Sequence, residues 1–180
     1  MSIEVVVYLR REQIPTCEQW QKAIDAEGLN LRLDPSVNTL TQTGFWPTIN
    51  NGQQCGFEYF FGPLDEEPQK ILQAIGNRNS RATFVWHSSL ADGHAGSLAA
   101  AVLAKLVDGV FLDSLSGEIV LGAEALDRVQ AETWDEKELK MQTAIQKWAR
   151  ATERRCPKCS APCPEYRPRC FVCEFEIGRA

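Results

Sequence analysis

Gly44-Phe45-Trp46-Pro47-Thr48-Ile49-Asn50-Asn51-Gly52-Gln53-Gln54-Cys55-Gly56-Phe57-Glu58-Tyr59-Phe60-Phe61 decides the fold. Two β-rich runs flank Asn50-Asn51-Gly52, and Asn-Gly between such runs is the strongest short-range signal for a hairpin. Pro47 cannot donate to a strand ladder, which pushes its strand toward a sheet edge. The middle of the chain is therefore read as antiparallel sheet.

Working toward the N-terminus, Leu29-Asn30-Leu31-Arg32-Leu33 alternates and is ended by Asp34-Pro35, as a half-buried strand would be. Thr16 followed by Gln19 forms a capping box, and Trp20, Ala23, Ile24 and Gly28 complete a helix over about 16–27. Ile3 to Leu9 is rich in β-branched residues and reads as a central strand buried on both faces. Toward the C-terminus, Glu66 to Ile75 reads as a short helix with Pro68 in its first turn, and Ala82 to His87 as a strand. Leu98 to Val107 is apolar nearly all round and reads as the most buried helix. Val110 to Asp113 and Glu118 to Leu121 form a second hairpin, followed by a short helix from Gly122 to Gln130. Trp134, Met141, Ile145 and Trp148 then place large apolar groups along one side of a helix reaching about Arg155. This order predicts an α+β fold: a mixed, mostly antiparallel sheet packed with helices over residues 1–152, and a Cys-rich tail over 153–180.

At 180 residues, with 44% hydrophobic and 24% charged side chains, one full core is available and a second large one is not. The longest apolar stretch, Leu98 to Leu106, falls far short of the ~20 residues a membrane span needs. Met1-Ser2-Ile3-Glu4 opens directly into a strand, with no basic region or cleavage site of a signal peptide, and this predicts a cytoplasmic protein. Residues 1–150 carry 13 basic and 20 acidic side chains. That balance opposes a phosphate backbone as partner of the main domain and suits a basic protein surface; it also serves solubility.

Five of the seven cysteines, Cys156, Cys159, Cys163, Cys170 and Cys173, lie within 18 residues. Clustered cysteines in a chain without an export signal point to a metal rather than to disulfides. Cys156-Pro157-Lys158-Cys159 and Cys170-Phe171-Val172-Cys173 supply four thiolates in the paired spacing that tetrahedral Zn²⁺ accepts, with Zn–S bonds of about 2.3 Å. Cys163 is an alternative ligand, and iron would use the same donors. The tail is too short to build an apolar core, so the ion must supply its folding energy. Over roughly residues 156–175 it resembles a zinc ribbon. Tyr166, Arg167, Arg169 and Phe171 give such a ribbon an aromatic and basic surface, which keeps open an adaptor role in a nucleic-acid or protein complex.

No catalytic signature is present. His87 and His94 lie near Ser88, Ser89, Asp92 and Ser97, but without a nucleophile elbow. A hydrolase using either histidine stands beside a plainer reading, a strand end and helix entry capped by Ser or Asp. Gly93-His94-Ala95-Gly96-Ser97, read as preceding a helix, offers free N–H groups to an anion, although it lacks the lysine of a phosphate loop. Asp65-Glu66-Glu67 reads as a carboxylate cluster complementing the helix that follows. Over residues 3–130 the strand opening, the Gly44 to Phe60 hairpin and the alanine-rich helix running into Asp108-Gly109-Val110-Phe111-Leu112-Asp113 resemble the small cytosolic immunity proteins encoded beside bacterial toxins. The resemblance implies a non-catalytic protein-binding module that inhibits a toxin by occupying its active face, and the acidic balance of the main domain points to a basic toxin domain as the partner. It carries over no partner-binding residue.

Overall fold

The heptapeptide Ile3–Leu9 forms strand β1, which lies inside a seven-stranded sheet, hydrogen-bonded on both edges and buried at every residue but Glu4, in keeping with its largely apolar sequence. A computed structural model describes residues 3–64, 67–87 and 89–131, all within one compact unit. After β1 come α1 (Cys17–Ala26), β2 (Leu31–Leu33), β3 (Thr43–Asn50), β4 (Gln53–Pro63), α2 (Gln69–Ile75), β5 (Ser80–Trp86), α3 (Leu90–Leu106), β6 (Val110–Asp113), β7 (Glu118–Leu121) and α4 (Gly122–Ala131). The strands lie in the order β2-β3-β4-β5-β1-β6-β7. The fold is α+β.

Every strand pairing is antiparallel, so the expected mixed sheet is corrected. The reason is the position of β1. Strands β5 and β6 run in the same direction and are joined across α3, a connection that can generate a parallel pair, but β1 inserts between them in the opposite sense. The hairpin turn falls at Asn51 and Gly52, with φ of 50° and 79°, the left-handed pair that a two-residue turn requires. Pro47 is in the penultimate strand rather than the edge, yet β2 pairs only with Thr48 to Asn50, so β3 has no outer neighbour at the proline.

The two faces of the sheet are covered unequally. On one, Trp20 of α1 meets Trp46, Tyr59 and Phe84 with ring centroids 5.5–6.0 Å apart, and its indole N–H donates to the Ala99 carbonyl of α3 at 3.1 Å. Helix α3 crosses this face and is buried over most of its length. Its start is eight residues earlier than the apolar run suggested. Ser89 caps it, accepting the Asp92 N–H, and Gly93, which reads locally as a loop residue, is a close-packing position: a Cβ there would lie 2.6 Å from the Trp86 indole nitrogen. Helix α4 closes on α3 through Gly122, where a Cβ would be 2.1 Å from the Ala104 carbonyl oxygen. On the opposite face, α2 places Ile71 and Ile75 over Val6, Tyr8, Val110 and Leu112. The predicted long helix from Trp134, the division at residue 152 and all five tail cysteines lie outside the described residues.

Candidate binding face

Strand alternation divides β3 into two sets. Trp46, Thr48 and Asn50 are buried beneath the helices, while Phe45, Pro47 and Ile49 project from the other side. The register extends that second set across the sheet: Phe45 lies opposite Glu58, Glu58 opposite Val85, and Val85 opposite Glu4, with Phe60 between Thr43 and Thr83 in the next row. Helix α2 covers only the half of this face around β1 and β6. No other described element covers the rest, where Phe45 is 61% exposed, Ile49 44% and Phe60 39%.

The charge on this half is acidic. Glu58 stands beside Phe45, Glu4 lies farther along the same row on β1, and His87 Nε2 lies 3.6 Å from Glu58 Oε1. Arg32, opposite Ile49, is engaged by the Asp25 carboxylate at 2.9 and 3.2 Å.

Where β3 and β4 meet the start of α3, an open pocket of about 570 Å³ is lined by residues that include Arg32, Asp34, Phe45, Ile49, Cys55 and Asp92. Asp92 is fixed there. The β4–β5 ladder ends at Glu58 and Val85, two residues short of Gly56, and the Gly56 N–H donates instead to Asp92 Oδ1 at 2.9 Å. The ring of Phe45 lies across the same glycine: a Cβ on Gly56 would be 2.4 Å from Phe45 Cζ. The hydroxyl and N–H of Ser36 hold the Asp34 carboxyl below its usual range. Cys55 Sγ lies 3.2 Å from Thr48 Oγ1. Cys17 is buried and donates to the Asp34 carbonyl, and burial pushes its thiol pKa up. Both of these cysteines are free thiols.

His87 and His94 meet different partners among the described residues. Asn50 Nδ2 and His94 Nδ1 are 3.0 Å apart on the helix-covered side, His87 lies against Glu58, and Ser89 and Asp92 are engaged by backbone N–H groups. The Gly93 to Ser97 stretch lies within α3, where the helix itself uses its N–H groups, so the anion-cradle reading is corrected. Glu67 is also reassigned. It precedes α2 and turns its carboxylate to the sheet, accepting the Tyr8 hydroxyl and Arg81 Nη1, both at 3.1 Å. Asp65, Glu66 and Ser88 lie outside the described residues.

Among the described residues no group of three or more His, Cys, Asp and Glu side chains is placed to hold a metal ion, and no helix is long and apolar enough to cross a membrane. Comparison with protein-family models, curated proteins and solved structures finds no match. The uncovered face escaped the sequence reading. Its signal was present in β3, where Phe45, Pro47 and Ile49 share one alternation phase and Trp46 stands in the other, and only the topology decides which phase is left without a cover.

Proposed function

We propose that the chain is a non-catalytic protein-binding module, an immunity protein that inhibits a cognate bacterial toxin in the cytoplasm by docking over its active face through β3, β4 and β5. The observation that supports this most is the exposed Phe45, Ile49 and Phe60 face with Glu58 beside Phe45 and Glu4 farther along the same row. Clustered exposed aromatic and aliphatic groups are costly in water and provide the anchors on which interfaces depend. Interspersed carboxylates favour a basic partner and raise its association rate. Such inhibition requires shape and charge and no reacting group.

The paired cysteine spacing supports a structural Zn²⁺ in the tail, held by Cys156, Cys159, Cys170 and Cys173, with Cys163 as the alternative donor and iron as the alternative ion. The ion would organise the tail and take no part in a reaction.

The test is affinity purification of the full chain from its native cell, repeated with Phe45→Thr/Ile49→Thr and with Glu58→Lys. A stoichiometric basic protein retained by the native chain, lost with the first variant and weakened by the second, is expected. Substrate turnover by the isolated chain would overturn the reading. So would nucleic-acid binding at low salt that disappears on removing residues 151–180, which is the signature of a ribbon adaptor.

A further inference from the structure

The pocket beside α3 has features that a flat apolar face does not need. Its volume of about 570 Å³ lies in the range of sites that enclose small groups. One wall is an aromatic ring, and a carboxylate is fixed next to it: Phe45 and Asp92 meet at Gly56, the first lying across its missing side chain and the second holding its N–H at 2.9 Å. That hydrogen bond uses Oδ1. Among the described residues the other oxygen of Asp92 has no hydrogen-bond partner. Among the described lining residues the one cation, Arg32, is engaged by Asp25, and Asp34 adds a second carboxylate.

We propose that this pocket receives an arginine side chain of the docking partner. A guanidinium can lie flat on the Phe45 ring while one of its N–H groups reaches the unused Asp92 oxygen, and Ile49 offers apolar contact to the methylene stem. A lysine ammonium satisfies only part of this, because it is a more strongly hydrated point charge that cannot stack. The pocket thus names the partner chemistry for the docking face, and its assignment as an interface anchor rests on the binding-module reading.

The test does not need the partner. Nα-acetyl-arginine amide and its lysine counterpart are titrated into the ¹⁵N-labelled full chain, and amide shifts are followed. Saturable shifts at Gly56, Asp92 and Ile49 are expected with the arginine probe, with binding at least about tenfold weaker for lysine. Asp92→Asn keeps an acceptor for the Gly56 N–H and should lower arginine affinity by about tenfold or more. Phe45→Leu, which leaves an apolar side chain over the glycine, should lower it by about threefold.

Absence of shifts at these amides overturns the proposal, as does binding that Asp92→Asn leaves unchanged. Equal affinity for both probes removes the arginine assignment. The two readings also fail separately. Arginine-probe binding that depends on Asp92, in a chain that retains no protein partner, leaves the pocket as a guanidinium site and refutes the docking module. A retained partner whose affinity is insensitive to Asp92→Asn refutes the anchor alone.

Discussion

Asp92 Oδ1 accepts the Gly56 N–H at 2.9 Å, tying the first turn of α3 to strand β4 across 36 positions of chain. The bond replaces the ladder contact that β5 no longer supplies, so its loss strands a backbone donor. Asp92→Ala should destabilise the fold by about 1–3 kcal/mol, whereas Asp92→Asn, which keeps the acceptor, should cost less than half as much. Gly56→Ala adds a methyl 2.4 Å from Phe45 Cζ and 2.7 Å from the Trp46 carbonyl oxygen. Phe45 can swing away, but the carbonyl cannot, and about 1–3 kcal/mol should be lost. Urea denaturation of the variants measures all of these. Wild-type stability in Asp92→Ala would show that the bond is not a structural tie.

The exposed face should separate binding from stability. Threonine at Phe45 and Ile49 preserves strand propensity and shortens side chains that are 61% and 44% exposed, so each change should cost about 1 kcal/mol. Partner retention should nevertheless fall sharply, because interface energy concentrates in a few large side chains. Calorimetry with binding on the same samples tests this. A parallel loss of both would mean that the face is part of the core.

The elements were legible where local chemistry and tertiary context agree. Thr16 and Gln19 form the expected reciprocal cap, Asn51-Gly52 makes the expected turn, and β6 and β7 occupy the expected residues. The reading of α3 begins eight residues late because Gly93 and Gly96 are loop signals locally, while in the fold they lie inside the helix and Gly93 is a close-packing position where the Trp86 indole needs the space. The antiparallel outcome depends on β1 entering between β5 and β6, a choice made by long-range pairing that no local pattern records. The binding face was hidden for a related reason. Alternation puts Phe45, Pro47 and Ile49 on one side of β3 and Trp46 on the other, but α2 covers only the far half of the sheet, and that follows from topology.

The tyrosines give the fold an alkaline limit. Burial, reinforced by the Glu67 carboxylate, raises the Tyr8 phenol well above its ordinary value of 10, and burial does the same to Tyr59. A group whose pKa is raised in the folded state adds stability fully present below its unfolded value and lost as pH rises through the folded one. Stability should therefore hold to about pH 10 and decline above it. Both phenols should ionise together with unfolding, seen as tyrosinate absorbance that rises in step with loss of sheet circular dichroism. Tyr8→Phe should weaken this pH dependence and cost about 1 kcal/mol, since Glu67 keeps Arg81 as a donor. Tyrosinate absorbance developing fully in the folded chain would contradict the assignment.

Metal removal should affect the tail and spare the sheet. The core of residues 3–131 consists of interlocked rings, with Trp46 and Tyr59 5.2 Å apart and Phe57 and Phe84 5.4 Å apart, and β1 is paired on both edges. Nothing in that core calls for an ion, because burial and ladder hydrogen bonds already account for its cohesion. A ribbon-sized segment with four of the nine prolines is expected from its sequence to be too short for such a core, and on the proposed reading it owes its order to the metal. Elemental analysis of freshly reduced protein should return one zinc or iron per chain, and Cys156→Ser/Cys159→Ser should abolish it. Chelation should then shift the amide signals of residues 153–180 while leaving those of β1 to β5 in place. Collapse of the β1 to β5 signals on chelation would mean that the ion holds the whole chain together, and a metal-free chain with an unchanged tail spectrum would remove the zinc ribbon altogether.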